Sequence, residues 1–375
     1  MFAKESLNIG VVCGEHSGDR LGYGLINEIK KNVNVNLYGV GGPKLESLGF
    51  ESEFNFSELN IMGLIEPIKN FKKLTKFRKS LIKLFINRDI DFFIGIDSPD
   101  FNMGIHKALK KAHSSKNIQV VSPSVWGWRQ NRIKSILRNI DLTLCLFNFE
   151  DNYYKKVGHN SMHLGHPFSD LYKKDFGKVL KKYDLDNTKH YISVLPGSRK
   201  SEVKIMLPIY IDFIKDHLVN NPNFFYLIPI ADKALMPIVN ELFRGLNLPV
   251  MIKENAMRDF LSISDLSIAT SGTATLESCI LECPPIICYK TNFINYSIIS
   301  RMLKIKDIGL PNLLFGKRYY YELLQKDCNK DNILKAALET TKLDEVNSKN
   351  ATDLRAMLKG KGYSGASRLL SSLSK

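Results

Sequence analysis

At 375 residues, with 44% hydrophobic and 24% charged residues, the chain has the composition of a globular protein large enough for two cores. This composition excludes a disordered chain, and no charge-free apolar run approaches the ~20 residues that a membrane-spanning helix needs. A formal net charge of +15 favours an anionic partner, such as nucleic acid, an anionic membrane surface or a phosphorylated substrate. A lysine-rich bias of the genome would give the same surplus.

The cysteines and the N-terminus indicate a reducing compartment. No two of the six cysteines form a C-x-x-C pair, and Cys13, Cys145 and Cys288 lie within apolar runs, as buried free thiols do. Cys279 and Cys283 stand four apart without a histidine nearby in sequence, which argues against a zinc site. Because the N-terminus lacks a signal-peptide cleavage site, we expect a cytosolic protein, or one that lies on a membrane from the cytosolic side.

Strand-like and helical stretches alternate along most of the chain. Up to about residue 166, apolar runs predict six strands: LNIGVVC, VNLYGV, DFFIGI, IQVVS, LTLCLF and SMHLGH. A second series follows, HYISVLP, FFYLIPI, LPVMIK, LSIATS and PPIICYK, with helical stretches such as 200–220 and 234–246 between its members. Apolar strands separated by helices are typical of parallel sheets that are covered on both faces.

This pattern predicts an α/β protein with two doubly wound, Rossmann-like domains facing each other across a cleft. The polar, lysine-rich segment 170–187 separates the two series, which places the first domain at 1–170 and the second at 186–330. The remaining segment, 331–375, is predicted to be helical. Because ligands of such sheets bind at the carboxyl ends of the strands, the turns that follow strands are the candidate sites.

Two acidic turns follow strands of the first domain. CGEHSGDRLG (13–22) is a glycine turn after the first strand, yet its carboxylates would repel phosphate. IGIDSPDFN (94–102) places Asp97 and Asp100 after a buried strand, where a carboxylate can act as general base on a hydroxyl. A helix cap formed by Ser98 or Asp100 would explain one of these residues but hardly both.

The loop SPSVWGWRQNR (122–132) combines aromatic and basic side chains. It contains the only two tryptophans of the chain, Trp126 and Trp128, ahead of Arg129 and Arg132. Aromatic faces stack on sugar or base rings, and a positive rim suits a phosphorylated ligand. We also expect at least one of the tryptophans to belong to the core.

The stretch KNFKKLTKFRKSLIKLFINR (69–88) predicts a basic amphipathic helix. It has eight basic residues and no acidic residue, and its apolar residues recur at helical spacing. Lys72, Lys76, Lys79 and Lys83 lie elsewhere on the helical wheel. Such a helix either lies on an anionic bilayer or packs its apolar stripe on the sheet and leaves the lysines in water.

The turn SVLPGSRKSEV (193–203) is the strongest phosphate-binding signal. A strand ends at Leu195, a sharp glycine turn follows, and Ser198 and Arg199 precede a helix whose free N–H groups can bind an anion. The guanidinium of Arg199 would add bidentate recognition of phosphate. The alternative is a plain strand–helix turn with a solvated arginine.

A second turn of the same domain, ATSGTATLES (269–278), repeats this arrangement. Ser271, Gly272 and Thr273 can offer backbone and hydroxyl donors to a diphosphate at the start of a helix. Glu277 lies one turn further along that helix, where it can accept ribose hydroxyls. Together, the two turns predict a nucleotide-diphosphate pocket.

Neither D-x-D pair of the chain is placed to hold a metal–diphosphate complex. DID (89–91) precedes its strand, at the end away from the expected cleft, and DLD (184–186) lies in the linker. We therefore expect no metal and no cofactor.

Taken in order, these turns resemble the lipid-A-disaccharide synthase family, bacterial glycosyltransferases of the GT-B architecture. The resemblance covers most of the chain and rests on nine segments: GEHSGDRLG, GVGGPKLESLGF, MGLIEPI, IDSPDFN, VSPSVWGWRQNRI, GHPF, LPGSRKSEV, SGTATLE, and LPNLL with ELLQ behind it. The chain departs from the family pattern at Ser98, Ser124 and Gly127, where alanine, glutamine and alanine are expected. YYYELLQ also lacks the usual proline before the glutamate. These departures concern loop packing more than chemistry.

The resemblance implies an inverting, metal-independent transferase. It would transfer 2,3-diacylglucosamine from its UDP derivative to 2,3-diacylglucosamine 1-phosphate, forming the β-1,6-linked disaccharide 1-phosphate and UDP. Asp97 would be the base and Arg199 would balance the charge on the departing UDP. Asn312 and Gln325 would line the donor pocket, and the turn at 271–273 would hold the phosphates, with the ribose on Glu277.

The resemblance also gives the first glycine turn a role on the sugar side. Glu15 would accept hydrogen bonds from sugar hydroxyls and is the second candidate for the base, with Asp100 the third. Ser17 and Asp19 would cap the following helix and shape the loop. The expected acceptor side comprises Glu15, Ser17, Asp100, Trp126 and Arg129.

Acylated substrates imply a membrane partner. We expect an enzyme that is cytoplasmic and peripheral on the inner face of the inner membrane, with the basic segment 69–88 on anionic lipid. The C-terminal helices are expected to pack on the first domain or on a partner chain in a homodimer.

The sequence offers three alternative functions. A UDP-sugar epimerase shares the fold and a ribose-binding glutamate, but has no need of a basic membrane helix. A dinucleotide-dependent oxidoreductase is disfavoured because no G-x-G-x-x-G stands at the end of the first strand. A nucleic-acid-binding protein is compatible with the charge, but it would leave the cleft motifs without a purpose.

Overall fold

The computed structural model describes residues 2, 4–50, 52, 54, 56, 71–113, 115–123, 125, 130–291, 307–340 and 344–374. The chain divides into two compact units. The first comprises Met1–His166 with Leu358–Lys375, and the second comprises Pro167–Met357.

The elements alternate between strand and helix, as the sequence predicts. The strands are β1 Ser6–Cys13, β2 Asn34–Val40, β3 Phe92–Ile96, β4 Lys116–Val120, β5 Leu142–Cys145, β6 Ser161–His163, β7 His190–Leu195, β8 Phe224–Ile230, β9 Val250–Glu254, β10 Leu266–Thr270, β11 Pro285–Tyr289 and β12 Glu322–Leu324. The helices are α1 His16–Lys30, α2 Pro43–Glu46, α3 Phe71–Asn87, α4 Pro99–Ala112, α5 Ile133–Asn139, α6 Asn148–Lys156, α7 Phe176–Tyr183, α8 Lys200–Asn220, α9 Met236–Phe243, α10 Met257–Ile263, α11 Thr273–Ile280, α12 Leu310–Phe315, α13 Lys330–Thr340, α14 Asp344–Leu358 and α15 Gly362–Leu373.

Each unit is built on one parallel six-stranded sheet, which confirms the predicted fold class. The strand order is β2-β1-β3-β4-β5-β6 in the first unit and β12-β11-β10-β7-β8-β9 in the second. Central strands such as β3 and β10 are buried along their whole length, as expected where helices cover both faces of a sheet. The edge strand β12 was not predicted, because three residues at the end of YYYELLQ give no strand period.

The last helix belongs to the first unit. Ala366 and Leu370 of α15 are buried in the same apolar cluster as Leu21 and Leu25 of α1. A Cβ atom at Gly24 would lie 2.4 Å from the ring of Tyr363, so the close approach of the two helices requires glycine there. The apolar face of α15 is thus covered within the chain.

The other C-terminal helices belong to the second unit, which differs from the expectation that the whole of 331–375 packs on the first domain or a partner chain. Ile333 and Ala336 of α13 share a core with Ile286 of β11. On α14, Arg355 donates from Nε to the carbonyl of Leu171 over 2.9 Å. The C-terminal helices are divided between the units because their apolar faces are buried in different cores: α13 in the core of the second unit and α15 in the core of the first.

The apolar stripe of the basic helix α3 is buried. Leu81 and Phe85 are fully buried in a cluster with Phe93, Ile105 and Leu109, and Leu74 and Phe77 pack against it. The exposed residues of this helix include Lys72, Lys76, Lys79 and Lys83. Of the two alternatives, α3 therefore packs its apolar stripe on the sheet and leaves these lysines exposed.

Asp19 does not cap its own helix. Its buried carboxylate accepts from the backbone N–H groups of Gly42 (3.0 Å), Lys44 (2.8 Å) and Leu45 (3.1 Å), at the start of α2. The residue in the N-cap position of α1 is Glu15, without a side-chain cap, and Ser17 is exposed. Asp19 of α1 thus holds the GGPKLE turn against α1 through hydrogen bonds, a contact that local sequence does not reveal.

The six cysteines are buried and free, as predicted. Among the described residues, no helix combines the length and the apolarity that a bilayer span requires.

Candidate active site

The candidate residues of the first unit emerge side by side from three adjacent strands. Cys13 of β1 is the register partner of Ile96 of β3, and Ile96 is the partner of Val120 of β4. The residues that follow therefore leave the sheet at one edge. This edge carries the turn of Glu15 and the turn of Asp97, as the sequence analysis expected.

The backbone at Asp97 is left-handed. Asp97 has φ 51° and Ser98 has φ 39°, and the following proline begins α4. Non-glycine residues in this region cost of the order of 1–3 kcal/mol each and are concentrated at functional sites. Ser98 occupies the N-cap position of α4 without a side-chain cap, so capping does not account for this turn.

Burial changes the protonation behaviour of the Asp97 carboxyl group. The residue is partly buried, and burial raises the pKa of its carboxyl above the ordinary aspartate value. A hydrogen bond from the backbone N–H of Ser98 opposes this shift. A carboxylate with a raised pKa accepts a proton more readily than a solvated aspartate.

Asp100 lies in a different environment. Its side chain is exposed, in the first turn of α4, and its Oδ1 accepts from a guanidinium nitrogen of Arg132. That contact joins two motifs that the sequence analysis treated separately. Trp126 and Arg129, together with Trp128, lie outside the described residues.

The turn of the second unit that is predicted to bind phosphate holds a carboxylate of the chain itself. Gly197 has φ 107°, and Arg199 occupies the N-cap position of α8 with its side chain exposed. The backbone N–H groups of Ser198 and Arg199 both donate to Oε2 of Glu202, over 3.1 and 3.2 Å. Nη1 of Arg199 lies 3.1 Å from Oε1 of the same carboxylate. The donors predicted to bind phosphate are thus shared with Glu202.

The second turn adjoins the first. Ala269 of β10 is the register partner of Leu195 of β7, so the turn at 271–273 emerges at the same edge as the Arg199 turn. Gly272 and Thr273 are exposed at the start of α11, and a Cβ atom at Gly272 would meet nothing within 4 Å. These residues form an open helix start beside a cationic one, which suits a diphosphate.

Glu277 is buried and paired with an arginine that the sequence analysis missed. Nε of Arg258 donates to Oε1 of Glu277, and the guanidinium group lies 5.7 Å from the ring centroid of Phe168. Arg258 is the second residue of α10, the helix that follows β9. Like Arg199, it therefore lies at the start of a helix that comes directly after a strand. That shared position is the signal that would have identified it. For Glu202, the signal is its place three residues after the N-cap, as in a capping box.

Asn312 differs from its predicted role as a pocket residue. It is fully buried, and its Oδ1 accepts from the N–H groups of Tyr319 (2.9 Å) and Tyr320 (3.0 Å). Its Nδ2 donates to Oε1 of Glu322 over 2.8 Å, and Glu322 also accepts from the N–H group of Gly309. Asn312 therefore shapes the loop that connects α12 to β12, because its amide is fully engaged within the chain.

Gln325 keeps a position at the carboxyl edge. It directly follows β12, has φ 52° and is partly exposed. Leu324 before it is the register partner of Tyr289 of β11, which places Gln325 on the same edge as the two phosphate-type turns.

Within the described part of the chain, no three His, Cys, Asp or Glu side chains cluster in a way that could hold a metal ion.

Comparison with known sequences identifies the family that the chain resembles. A family model described as lipid-A-disaccharide synthetase matches residues 9–373. Lipid-A-disaccharide synthase 2 of Legionella pneumophila is 36% identical over 369 residues, which cover 96% of this chain and 95% of the relative. Lipid-A-disaccharide synthase of Acinetobacter baylyi is 36% identical over 346 residues, which cover 88% and 87%.

Solved structures support the fold. A glycosyltransferase from Rickettsia africae aligns with a TM-score of 0.59 at 13% identity, covering 100% of this chain and 98% of that one. UDP-GlcNAc 2-epimerase from Neisseria meningitidis, bound to UDP-GlcNAc, aligns with a TM-score of 0.56 at 12% identity, covering 99% and 100%. Likeness at this identity shows the GT-B-like fold alone, so it does not favour an epimerase over the synthases that match at 36%.

Replacing Asp97 by asparagine is expected to stabilise the fold. Because the pKa of the folded carboxyl is raised, folding disfavours its charged form above the unfolded pKa of ~3.9, and the neutral amide removes this penalty. The urea midpoint of Asp97→Asn should exceed that of the wild type at pH 7, and the gain should vanish as the pH falls below ~4. Asparagine also tolerates a left-handed φ.

Asp100→Asn is the matched control. It removes an exposed ion pair that contributes about 0–1 kcal/mol, so it should leave the midpoint unchanged or slightly lower. A midpoint for Asp97→Asn that does not rise at pH 7 would contradict the assignment of a partly buried carboxyl group with a raised pKa.

Removing the charge of Glu202 is expected to tighten binding of UDP. Glu202→Gln keeps an oxygen near the N–H groups of Ser198 and Arg199 but removes a negative charge that would repel a diphosphate there. Charges at a helix start are worth up to ~2 kcal/mol, so calorimetry should show affinity for UDP increased about fivefold. Unchanged affinity would place the diphosphate elsewhere, and weaker affinity would show that Glu202 orients Arg199.

Proposed function

The chain belongs to the lipid-A-disaccharide synthetase family, and on that premise we propose that it is an inverting glycosyltransferase of lipid A biosynthesis. It transfers 2,3-diacylglucosamine from its UDP derivative to 2,3-diacylglucosamine 1-phosphate, forming the β-1,6-linked disaccharide 1-phosphate and UDP. The observation that carries the chemistry is the left-handed, partly buried Asp97 at the carboxyl end of β3.

The proposed step is one in-line displacement. The 6-hydroxyl oxygen of the acceptor forms a bond to the anomeric carbon, and the bond from that carbon to the UDP oxygen breaks with its electron pair. Asp97 takes the hydroxyl proton, a general-base contribution of ~10²–10⁴ in rate. Glu15, which leaves the sheet beside Asp97, binds sugar hydroxyls and stands second as the base.

The second unit supplies the donor site in this proposal. Arg199 balances the negative charge that grows on the departing UDP, a role that fixed cationic groups perform well. The N–H groups and hydroxyls at 271–273 and Ser198 bind the phosphates. Glu277, oriented by Arg258, holds the ribose, and Gln325 contributes from the neighbouring strand end.

The acceptor site uses residues of the first unit. Ser17 is exposed beside the Glu15 turn, and Asp100 with Arg132 presents paired charges at the start of α4. Trp126 and Arg129 remain proposed contacts for the acceptor sugar and its phosphate. No cofactor is required, since the UDP-sugar is itself a substrate, and the cationic role falls to Arg199 in place of a metal.

We assign the cationic face of α3 to the membrane. Both substrates carry acyl chains, so the enzyme must meet a lipid surface, and we propose the cytoplasmic face of the inner membrane. Because the apolar stripe of α3 is buried, this contact is electrostatic and worth about 1 kcal/mol per lysine near the surface.

A radiolabel transfer assay tests the proposal. Purified protein with UDP-diacylglucosamine and diacylglucosamine 1-phosphate should form the disaccharide 1-phosphate, with and without EDTA. Asp97→Asn should lower turnover by two to four orders of magnitude while leaving UDP affinity unchanged, because the base does not contact the nucleotide.

Asp100→Asn serves as the comparison: because Asp100 is a proposed acceptor contact and not the proposed base, this variant should act mainly on KM for the acceptor and lower kcat much less than Asp97→Asn does. The large loss appearing in Asp100→Asn instead would identify the other aspartate as the base. No disaccharide from folded wild-type protein would reject the function, and loss of product with EDTA alone would reject metal independence.

Vesicle flotation tests the membrane surface. Changing Lys72, Lys76, Lys79 and Lys83 to glutamine should weaken binding to vesicles containing anionic phospholipid at least about tenfold, and raised salt should weaken the wild type similarly. The control changes four exposed lysines of the second unit to glutamine, Lys233, Lys253, Lys335 and Lys349. Equal loss in both variants would mean that total charge, rather than α3, sets binding.

A further inference from the structure

Two adjacent strands of the first unit end in left-handed residues. Asp97 follows β3 with φ 51°, and Val121 follows β4 with φ 68°. The two strands are in register, with Ile96 opposite Val120. A β-branched residue with positive φ is a genuine outlier, so the surroundings must hold this backbone in place.

A single buried amide contacts both outliers. Gln119 is 1% exposed, in a strand that also buries Asn117 beside the apolar Ile118 and Val120. Its Nε2 lies 3.1 Å from the carbonyl oxygen of Asp97, 3.3 Å from that of Val121 and 3.0 Å from that of Val120. The amide thus spans the two strained turns.

A buried histidine orients this amide. Nε2 of His106, on α4, lies 3.1 Å from Oε1 of Gln119, and His106 is fully buried with its ring edge against Phe93. Because Nε2 must donate to the amide oxygen, Nδ1 is the unprotonated nitrogen, and it has no hydrogen-bond partner in the described structure. Burial lowers the pKa of His106 to about 4, so the ring stays neutral at physiological pH.

A second amide approaches the same carbonyl. Nδ2 of Asn102 donates to the carbonyl oxygen of Asp97 over 2.9 Å. The backbone carbonyl of Asp97 therefore accepts hydrogen bonds from side chains of both α4 and β4. Buried amides and imidazoles are expensive to place in a core, and an apolar residue would serve packing better.

We propose that Gln119, oriented by His106, is a positioning residue that holds the Asp97 turn in the left-handed conformation needed for proton abstraction. The inference rests on the proposed function for its catalytic meaning. Its structural half, that the amide holds the turn, stands independently and is tested separately.

Hydrogen exchange tests the structural half without reference to activity. Gln119→Met keeps the volume of the side chain and removes its donors. Backbone amides at 97–98 and 121 should then exchange about tenfold faster or more. Thr143→Val is the matched control, because Thr143 is the register partner of Gln119 on the next strand, is equally buried, and has its hydroxyl paired with His159 over 2.9 Å. Unchanged exchange in Gln119→Met would overturn the inference.

A double-mutant cycle in turnover tests the catalytic half. Gln119→Met should lower kcat roughly 10- to 100-fold and leave KM for both substrates within about twofold, since misplacement of a catalytic group by ~1 Å has an effect of this size. Added to Asp97→Asn, it should cause no further loss, because the base that it positions is gone. The same fold loss in both backgrounds would show a merely structural role and overturn the inference.

A second pair of variants covers a failure of Gln119→Met to fold. His106→Gln keeps a side-chain N–H near the amide oxygen and should retain kcat, whereas His106→Leu removes it and should reproduce the loss. Equal kcat in the two would overturn the inference. If the wild type forms no disaccharide while exchange changes as expected, the proposed function fails and the positioning of the turn stands.

Discussion

Parallel pairing is the constraint on which the candidate site depends. In both units every strand runs parallel to its neighbours, so each must return by a crossover through a helix. All turns that follow strands then emerge at one edge of each sheet. Register partners such as Cys13, Ile96 and Val120 bring residues from distant parts of the sequence to that edge. The sheet topology alone therefore places these polar groups at one edge, whatever their function is.

Charged groups at these edges are largely paired within the chain. Glu202 shares the N–H donors of the Arg199 turn, Arg258 pairs with Glu277, and Arg132 pairs with Asp100. A partly buried charge without a partner is costly, so pairing keeps the site compatible with a stable fold. A phosphate bound at the Arg199 turn, as we propose, would compete with the Glu202 carboxylate for the same N–H donors.

Backbone strain marks the edge of the first sheet in the same way. Asp97, Ser98 and Val121 adopt left-handed conformations that their side chains disfavour. Buried side-chain amides of Asn102 on α4 and Gln119 on β4 donate to the carbonyl groups of Asp97 and Val121, which supports the proposed positioning of the Asp97 turn. Strain and pairing together distinguish Asp97, which is partly buried with a raised pKa, from Asp100, which is exposed and paired with Arg132.

Much of the architecture follows from local pattern. Apolar runs such as LNIGVVC and DFFIGI became strands, the stretch 200–220 became α8, and the turns of Asp97 and Arg199 stand at strand ends as predicted. These features depend on period and on residues near in sequence. The family resemblance, carried by short segments in order, was likewise available from the sequence and is confirmed by relatives 36% identical.

Only the tertiary structure showed which residues contact one another across the fold. Asp19 binds a turn more than twenty residues away in sequence. The side-chain amide of Asn312 is hydrogen-bonded to Tyr319, Tyr320 and Glu322. The apolar stripe of α3 packs against β3 and α4. The separation of α13 from α15 and the pairing of β12 belong to the same class. Local sequence states which groups a residue offers, such as a carboxylate, an amide or an apolar face. Which group meets them is set by long-range packing, because burial and hydrogen bonding are satisfied over the whole fold at once.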